Sequence, residues 1–255
     1  MTQASPQQIG LHGTRLVRYL SELAVLDREL SHENFSERLG RLIDFGDSMR
    51  LAALHDKLHG MIFEPGPRSA VTARDEVLRV RMALMQSVVR SFSPAPGAAR
   101  IKLPTLDAGV PLDKLAGFEP YHHFYAAHQH EFASRIQSLQ FRVGDALSAI
   151  SAELAQLAAL DETLRDSLSV HVRKNLAVIP QLLARRFDFL RQDMQGATGT
   201  GDQSPEDIFR TWTGSDGWLA RFFREMQGLL LAEREFRLLR VMGLVEAVDE
   251  QAGEM

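Results

Sequence analysis

His55-Asp56-Lys57-Leu58-His59 sets two imidazoles four positions apart, the spacing that places two ligands on one helical face in the H-E-x-x-H helix of zinc proteases. The acid between them is wrong for that chemistry: Asp56 is shorter than the glutamate that would polarise a bound water, and no third ligand is evident. His59 beside Gly60 has an ordinary explanation as a cation favoured at a helix C-terminus. Four of the nine histidines, His122, His123, His128 and His130, crowd into eleven residues. Among themselves they never make an i, i+3 or i, i+4 pair. Glu119-x-x-His122 and Glu29-x-x-His32 are two E-x-x-H matches of the kind that carboxylate di-metal bundles use. Both fall at helix starts, with Pro120 inside one, so a hydrated helix end accounts for them better than a di-iron centre.

Asp44-Phe45-Gly46 spells the magnesium tripeptide of protein kinases without the glycine-rich loop, strand lysine or H-R-D that must accompany it. The run from Gly196 to Gly201 lacks the strand and lysine of a phosphate loop and is read as a connector. No catalytic centre, metal set or cofactor motif emerges. The basic clusters carry more weight. Over 165–191, six basic residues face two acids, a local excess of four positive charges. Arg173, Lys174, Arg185, Arg186 and Arg191 are therefore the candidate DNA- or partner-binding residues, against the ordinary reading of a solvated helix face. A second cluster, Arg74, Arg79, Arg81, Arg90, Arg100 and Lys102, has the same ambiguity, and the acidic end with Glu246, Asp249, Glu250 and Glu254 could compete for such faces within the chain.

Periodicity defines what positions these residues. Phe132, Ile136, Leu139, Val143, Leu147, Ile150, Leu154 and Leu157 recur at steps of three or four over 121–158. Leu160, Leu164, Leu168, Val172, Leu176, Ile179, Leu183, Phe187, Leu190 and Met194 do so over 160–194. The spacing predicts two long helices folded into an antiparallel hairpin with Asp161 capping the second, and Pro180 kinking that helix near Ala177. Upstream, helices are expected near 15–26, 32–45 and 48–59, then one opened by Thr72 and Asp75 that buries Leu78, Met82, Met85, Val89 and Phe92. Downstream, Ser204-Pro205-Glu206-Asp207 starts a short helix ending near Gly214. A further helix from about Asp216 buries Leu219, Phe222, Met226, Leu229 and Leu230, with a break between Arg240 and Val248. No strand-like alternation appears. The class is all-α, a helical bundle built around a long antiparallel helical hairpin, divided as 1–92, a proline-rich strapping linker at 93–120, and 121–255.

Bulk properties narrow the classes. A length of 255 residues with 45% hydrophobic content supports a real core, and a net charge of −4 confines any basic site to a patch. The absence of cysteine excludes disulfides, thiolate nucleophiles and cysteine-ligated zinc. Neither a leader-like N-terminus nor an 18-residue apolar run is present, so a cytoplasmic location is expected.

Several segments together resemble a bacterial family of uncharacterised all-helical proteins: LVRYL at 16–20, FSERLGRLIDFGDSMRLAALHDKL at 35–58, LAALDETL at 157–164, IPQLLARRFDFLR at 179–191 and WLARFFREMQGLLLAEREFRL at 218–238. Phe45 stands where tryptophan is expected. Proteins similar to this are encoded beside MotA/TolQ-like and OmpA/MotB-like membrane proteins. The resemblance implies the accessory cytoplasmic component of a Zorya-type anti-phage system, partnered with MotA/MotB-like motor proteins or their operon neighbours. It transfers no catalytic residue. The function expected is that of an effector or adaptor acting by binding to a protein partner, with DNA as a further candidate ligand. The alternatives are a metal-dependent helical hydrolase using His55 and His59, or a purely structural coiled-coil subunit.

Overall fold

Between Trp218 and Val248 the apolar residues never lose helical register. Trp218, Leu219, Phe222, Met226, Leu229, Leu230, Leu238, Val241, Leu244, Val245 and Val248 are all buried. In the computed structural model they lie on one uninterrupted helix, Trp218–Glu254, of 37 residues. The structure describes residues 15–25, 54, 58, 63, 70–93, 99–104, 117–197 and 205–254. Among these the elements are α1 (Arg15–Val25), α2 (Ala70–Ser91), α3 (Glu119–Leu147), α4 (Ala152–Leu176), α5 (Ile179–Ala197), α6 (Pro205–Thr213) and α7 (Trp218–Glu254), with no strand. The chain is all-α. The helices expected at 32–45 and 48–59 lie outside the described residues, apart from Leu54 and Leu58, which are helical.

α7 touches each of the other six helices, so it is the column of the bundle, and the expected break between Arg240 and Val248 does not occur. Gly243 sits within it. The buried run on either side supplies tertiary packing that outweighs the poor helix propensity of one glycine. An aromatic cluster joins α3, α5 and α7: the Phe187 ring meets Phe222 and Trp218 edge-on at 5.1 Å each, and Tyr121 lies 5.5 Å from Phe187 and 5.6 Å from Phe222. Such edge-to-face pairs contribute beyond their burial.

The corner after α3 falls about ten residues earlier than the periodicity suggested. α3 ends at Leu147, and Ser151, in extended conformation, caps α4 by accepting from the Leu154 amide at 3.2 Å. Asp161, the expected cap, is instead inside α4 and accepts from Arg240 of α7 at 2.7 Å. The apolar stripe had run straight through Leu147, Ile150 and Leu154, hiding the turn. Pairs across α3 and α4 run in opposite senses, Phe141 under the Arg165 guanidinium at 4.3 Å and Gln129 donating to the Leu176 carbonyl at 3.2 Å. Pro180 lies in the first turn of α5, after a two-residue interruption at Ala177 and Val178. The amides of Gln181 and Leu182 both reach the Val178 carbonyl at 3.1 Å, so a new helix starts there, where an unbroken kinked one was expected.

α2 uses a different face from the one expected. Ala73, Val77, Leu84 and Val88 are buried, whereas Leu78, Met82 and Val89 are close to half exposed. Two apolar stripes run along this helix about 100° apart, and α3 and α7 cover the first. Polar contacts fix that choice: Ser87 Oγ donates to Glu131 at 2.7 Å, Glu76 pairs with Arg142, and the Arg81 carbonyl accepts from Arg234 at 3.4 Å. Beyond α2, Ser91 Oγ donates to the Ile101 carbonyl at 2.7 Å, and Ile101 and Leu103 pack against the core.

Two glycines give a stability test. A Cβ on Gly217, at the corner between α6 and α7, would lie 2.2 Å from the Trp212 carbonyl oxygen and 2.5 Å from that of Thr211. Backbone cannot yield as a side chain does, so Gly217→Ala is expected to destabilise by about 1–3 kcal/mol. Gly243 has open space where a Cβ would go, so Gly243→Ala should stabilise by up to about 1 kcal/mol. Chemical denaturation measures both; equal effects would contradict the corner geometry.

Candidate functional site

The five basic candidates sit on α4 and α5, either side of the interruption at Ala177. Arg173 and Lys174 occupy the last turn of α4, where the helix dipole favours cations, and both are exposed. Arg185 on α5 is exposed as well, and Phe189, one turn further along the same face, is 44% exposed. A part-exposed aromatic ring, with the Arg186 guanidinium over it at 5.5 Å, is the surface feature that the sequence reading missed. The i, i+4 spacing of Arg185 and Phe189 could have signalled it.

Arg186 does not belong to that surface. It is buried, and its Nε and terminal nitrogen donate to the two carboxylate oxygens of Glu225 on α7 at 2.7 and 2.6 Å. This bidentate pair pins α5 to α7. Arg221 adds a third donor to Glu225 at 3.1 Å. Arg191 is half-buried and reaches Asp188 at 3.2 Å. Of the five residues, Arg173, Lys174 and Arg185 are the exposed ones. In the second cluster, Arg74 pairs with Asp249 at 3.4 Å, so the acidic end does engage one basic residue of α2. Arg79, Arg90, Arg100 and Lys102 are exposed, and Arg81 is half-buried.

The histidine-rich stretch divides along the faces of α3. His123 is exposed with the Glu119 carboxylate 3.0 Å away, and His130 is exposed. His128 is fully buried between the Phe124 and Phe132 rings, at 4.9 and 5.9 Å, with neither ring nitrogen hydrogen-bonded. Burial pushes its pKa down from 6.5 to about 4, against a smaller opposing effect of Glu131, so the imidazole is neutral in the fold. His55, His59, Glu29, His32 and the Asp44-Phe45-Gly46 tripeptide lie outside the described residues.

One buried polar network was not anticipated. Glu233 of α7 is fully buried, and its carboxylate accepts from Tyr125 Oη at 2.8 Å, from Gln129 Nε2 at 3.2 and 3.1 Å, and from Arg237 Nε at 2.8 Å. Burial, then the Glu233 charge and its hydrogen bond, hold the Tyr125 hydroxyl well above its ordinary pKa. With both oxygens engaged and no opening to solvent, this carboxylate is spent on holding α3 against α7 rather than on proton transfer. Its position, three residues beyond Leu230 on the buried face of α7, was the available signal.

No helix among the described residues is long and apolar enough to cross a membrane. In comparison with known proteins, a family model described as protein of unknown function (DUF3348) matches residues 1–250. No curated protein and no solved structure matches the chain. The match includes the stretches 60–119 and 195–216, which the resembling segments had left out.

Proposed function

The chain belongs to the DUF3348 family of unknown function, and from that premise we propose that it acts by binding, as an accessory or adaptor protein of a proton-driven membrane motor in a Zorya-type anti-phage system. The observation that carries the binding part is the outward placement of Arg173, Lys174, Arg185 and Phe189 at the junction of α4 and α5. Three exposed cations with a part-exposed aromatic ring suit either the phosphates and bases of nucleic acid or an acidic protein surface with an apolar pocket. The motor partnership rests on the resemblance of the five segments to proteins encoded beside MotA/TolQ-like and OmpA/MotB-like genes. In that arrangement the protein docks onto the motor from the water side.

Two measurements test the two parts separately. Replacing Arg173, Lys174 and Arg185 with alanine should weaken DNA binding alike on unrelated sequences and flatten the salt slope by up to about three units, since each lost phosphate contact releases roughly one counterion fewer. Wild-type affinity is expected on the order of micromolar or weaker for such non-specific contacts. Thermal stability should move by less than about 0.5 kcal/mol per replacement, because these side chains are exposed. Arg186 is left intact in this variant, since its removal would strand the Glu225 carboxylate. Absence of DNA binding by the wild type at low salt would end the nucleic-acid part. Failure to co-purify with the motor proteins or their operon neighbours would end the adaptor part.

A further inference from the structure

We propose that Glu119, His122 and His123, in the first turns of α3, form a binding site for a zinc-class divalent ion. The three residues are at i, i+3 and i+4, which confines them to an arc of about 100° on one face of the helix. One ligand atom from each lies within 4.8 Å of the other two. Glu119 Oε1 and His123 Nε2 are already 3.0 Å apart, comparable with the roughly 3.4 Å between neighbouring ligand atoms of a tetrahedral zinc centre. The histidines alone show no ligand spacing; Glu119 completes the set.

An i, i+4 carboxylate–imidazole pair on a helix surface is by itself an ordinary contact, but it leaves His122 unexplained. That residue is half-buried beside the Phe118 ring, 6.2 Å between centroids, and its Nδ1 is enclosed without a hydrogen-bond partner. The ring nonetheless brings a nitrogen within 4.8 Å of the ligand atoms of Glu119 and His123, while its Nδ1 makes no hydrogen bond within the fold. The side chains of Glu119 and His123 are about three-quarters exposed, so they can rotate to close on an ion. The fourth coordination position then faces water, as in sites with three protein ligands.

Donor chemistry selects the ion. Two imidazoles and one carboxylate suit zinc, nickel or copper, whereas magnesium and calcium prefer oxygen alone. The positive end of the helix dipole works against any cation here and the Glu119 charge offsets it, so affinity is expected in the micromolar range, well short of a structural zinc.

Competition of the full-length, tag-free protein against a chromophoric zinc chelator measures this directly. One Zn2+ per chain at micromolar affinity is expected, with no competition by millimolar Mg2+ or Ca2+. His122→Ala, His123→Ala and Glu119→Gln should each weaken zinc binding at least tenfold, with unchanged helicity and thermal melt in the absence of metal. Co2+ in place of zinc should give visible absorption bands that the His122→Ala variant loses. No zinc uptake by the wild type would overturn the assignment. So would zinc binding that survives the His122→Ala, His123→Ala double change and is lost on replacing His55 and His59. The site shares no residue with the basic face, so its outcome is independent of the adaptor proposal.

Discussion

Replacing Glu233 with alanine is expected to lower the folding stability by about 3–5 kcal/mol, the usual cost of removing one partner from a buried ion pair. The carboxylate is fully buried and receives hydrogen bonds from Tyr125, Gln129 and Arg237. Its loss leaves a guanidinium, an amide and a phenol in a region with little water to replace it, and the uncompensated Arg237 charge dominates the penalty. Glu233→Gln should cost less, since its carbonyl still accepts from Tyr125 while the charge opposite Arg237 is lost. For a chain of this size, the alanine variant should melt on the order of 10 °C lower. An alanine variant within about 1 kcal/mol of wild type in urea denaturation would mean that the network does not hold α3 to α7.

His128 predicts a pH dependence of nearly comparable size. In the fold its pKa is about 4, below its ordinary 6.5, so between those values the unfolded chain takes up a proton that the folded chain does not. The contribution of neutral His128 is fully present above about pH 6.5 and is lost as the pH falls towards 4. Across that window the loss amounts to about 3 kcal/mol, since each pH unit between the two values is worth roughly 1.4 kcal/mol. Glu131, whose nearest oxygen is 4.0 Å from Nδ1, is too far for a hydrogen bond and only partly offsets the burial. His128→Leu fills the space between Phe124 and Phe132 without a titrating group. Stability measured from pH 7 to 4 should fall less steeply in that variant than in wild type, and identical profiles would show that His128 is protonated without cost.

The all-α class was legible because the apolar period never departs from three or four residues. The inward side of α3, from Phe132 to Leu147, follows it position by position. On α2 the same rule failed, since Val77, Leu84 and Val88 make as good a stripe as Leu78, Met82 and Val89, and only the neighbours α3 and α7 decide between them. Likewise, the corner at Ser151 was masked because hydrophobic periodicity can cross a tight turn without interruption. Ser151 with Glu153 in the following turn was a local cap signal that the longer pattern overrode. For the site, exposure was legible for Lys174 and Arg185, which point away from the Leu183 face, whereas Arg173 was expected to flank that face and is exposed as well. Arg186 was not legible as a structural residue, because its partner Glu225 lies 39 positions away. Long-range pairing of that kind leaves no trace in the spacing of a single segment.

Every other described helix packs on α7, yet α7 is synthesised after all of them. α1, which also meets α5, waits through some two hundred residues of translation before α7 exists. While the ribosome works, the inward faces of α1 to α6 have no column to close on, and only their contacts with one another shelter them. Closure of the bundle on its column is therefore a late, long-range step of assembly. Nascent chains stalled before Trp218 should be held by chaperones or degraded, whereas those stalled beyond Val248 already carry every buried residue of the column.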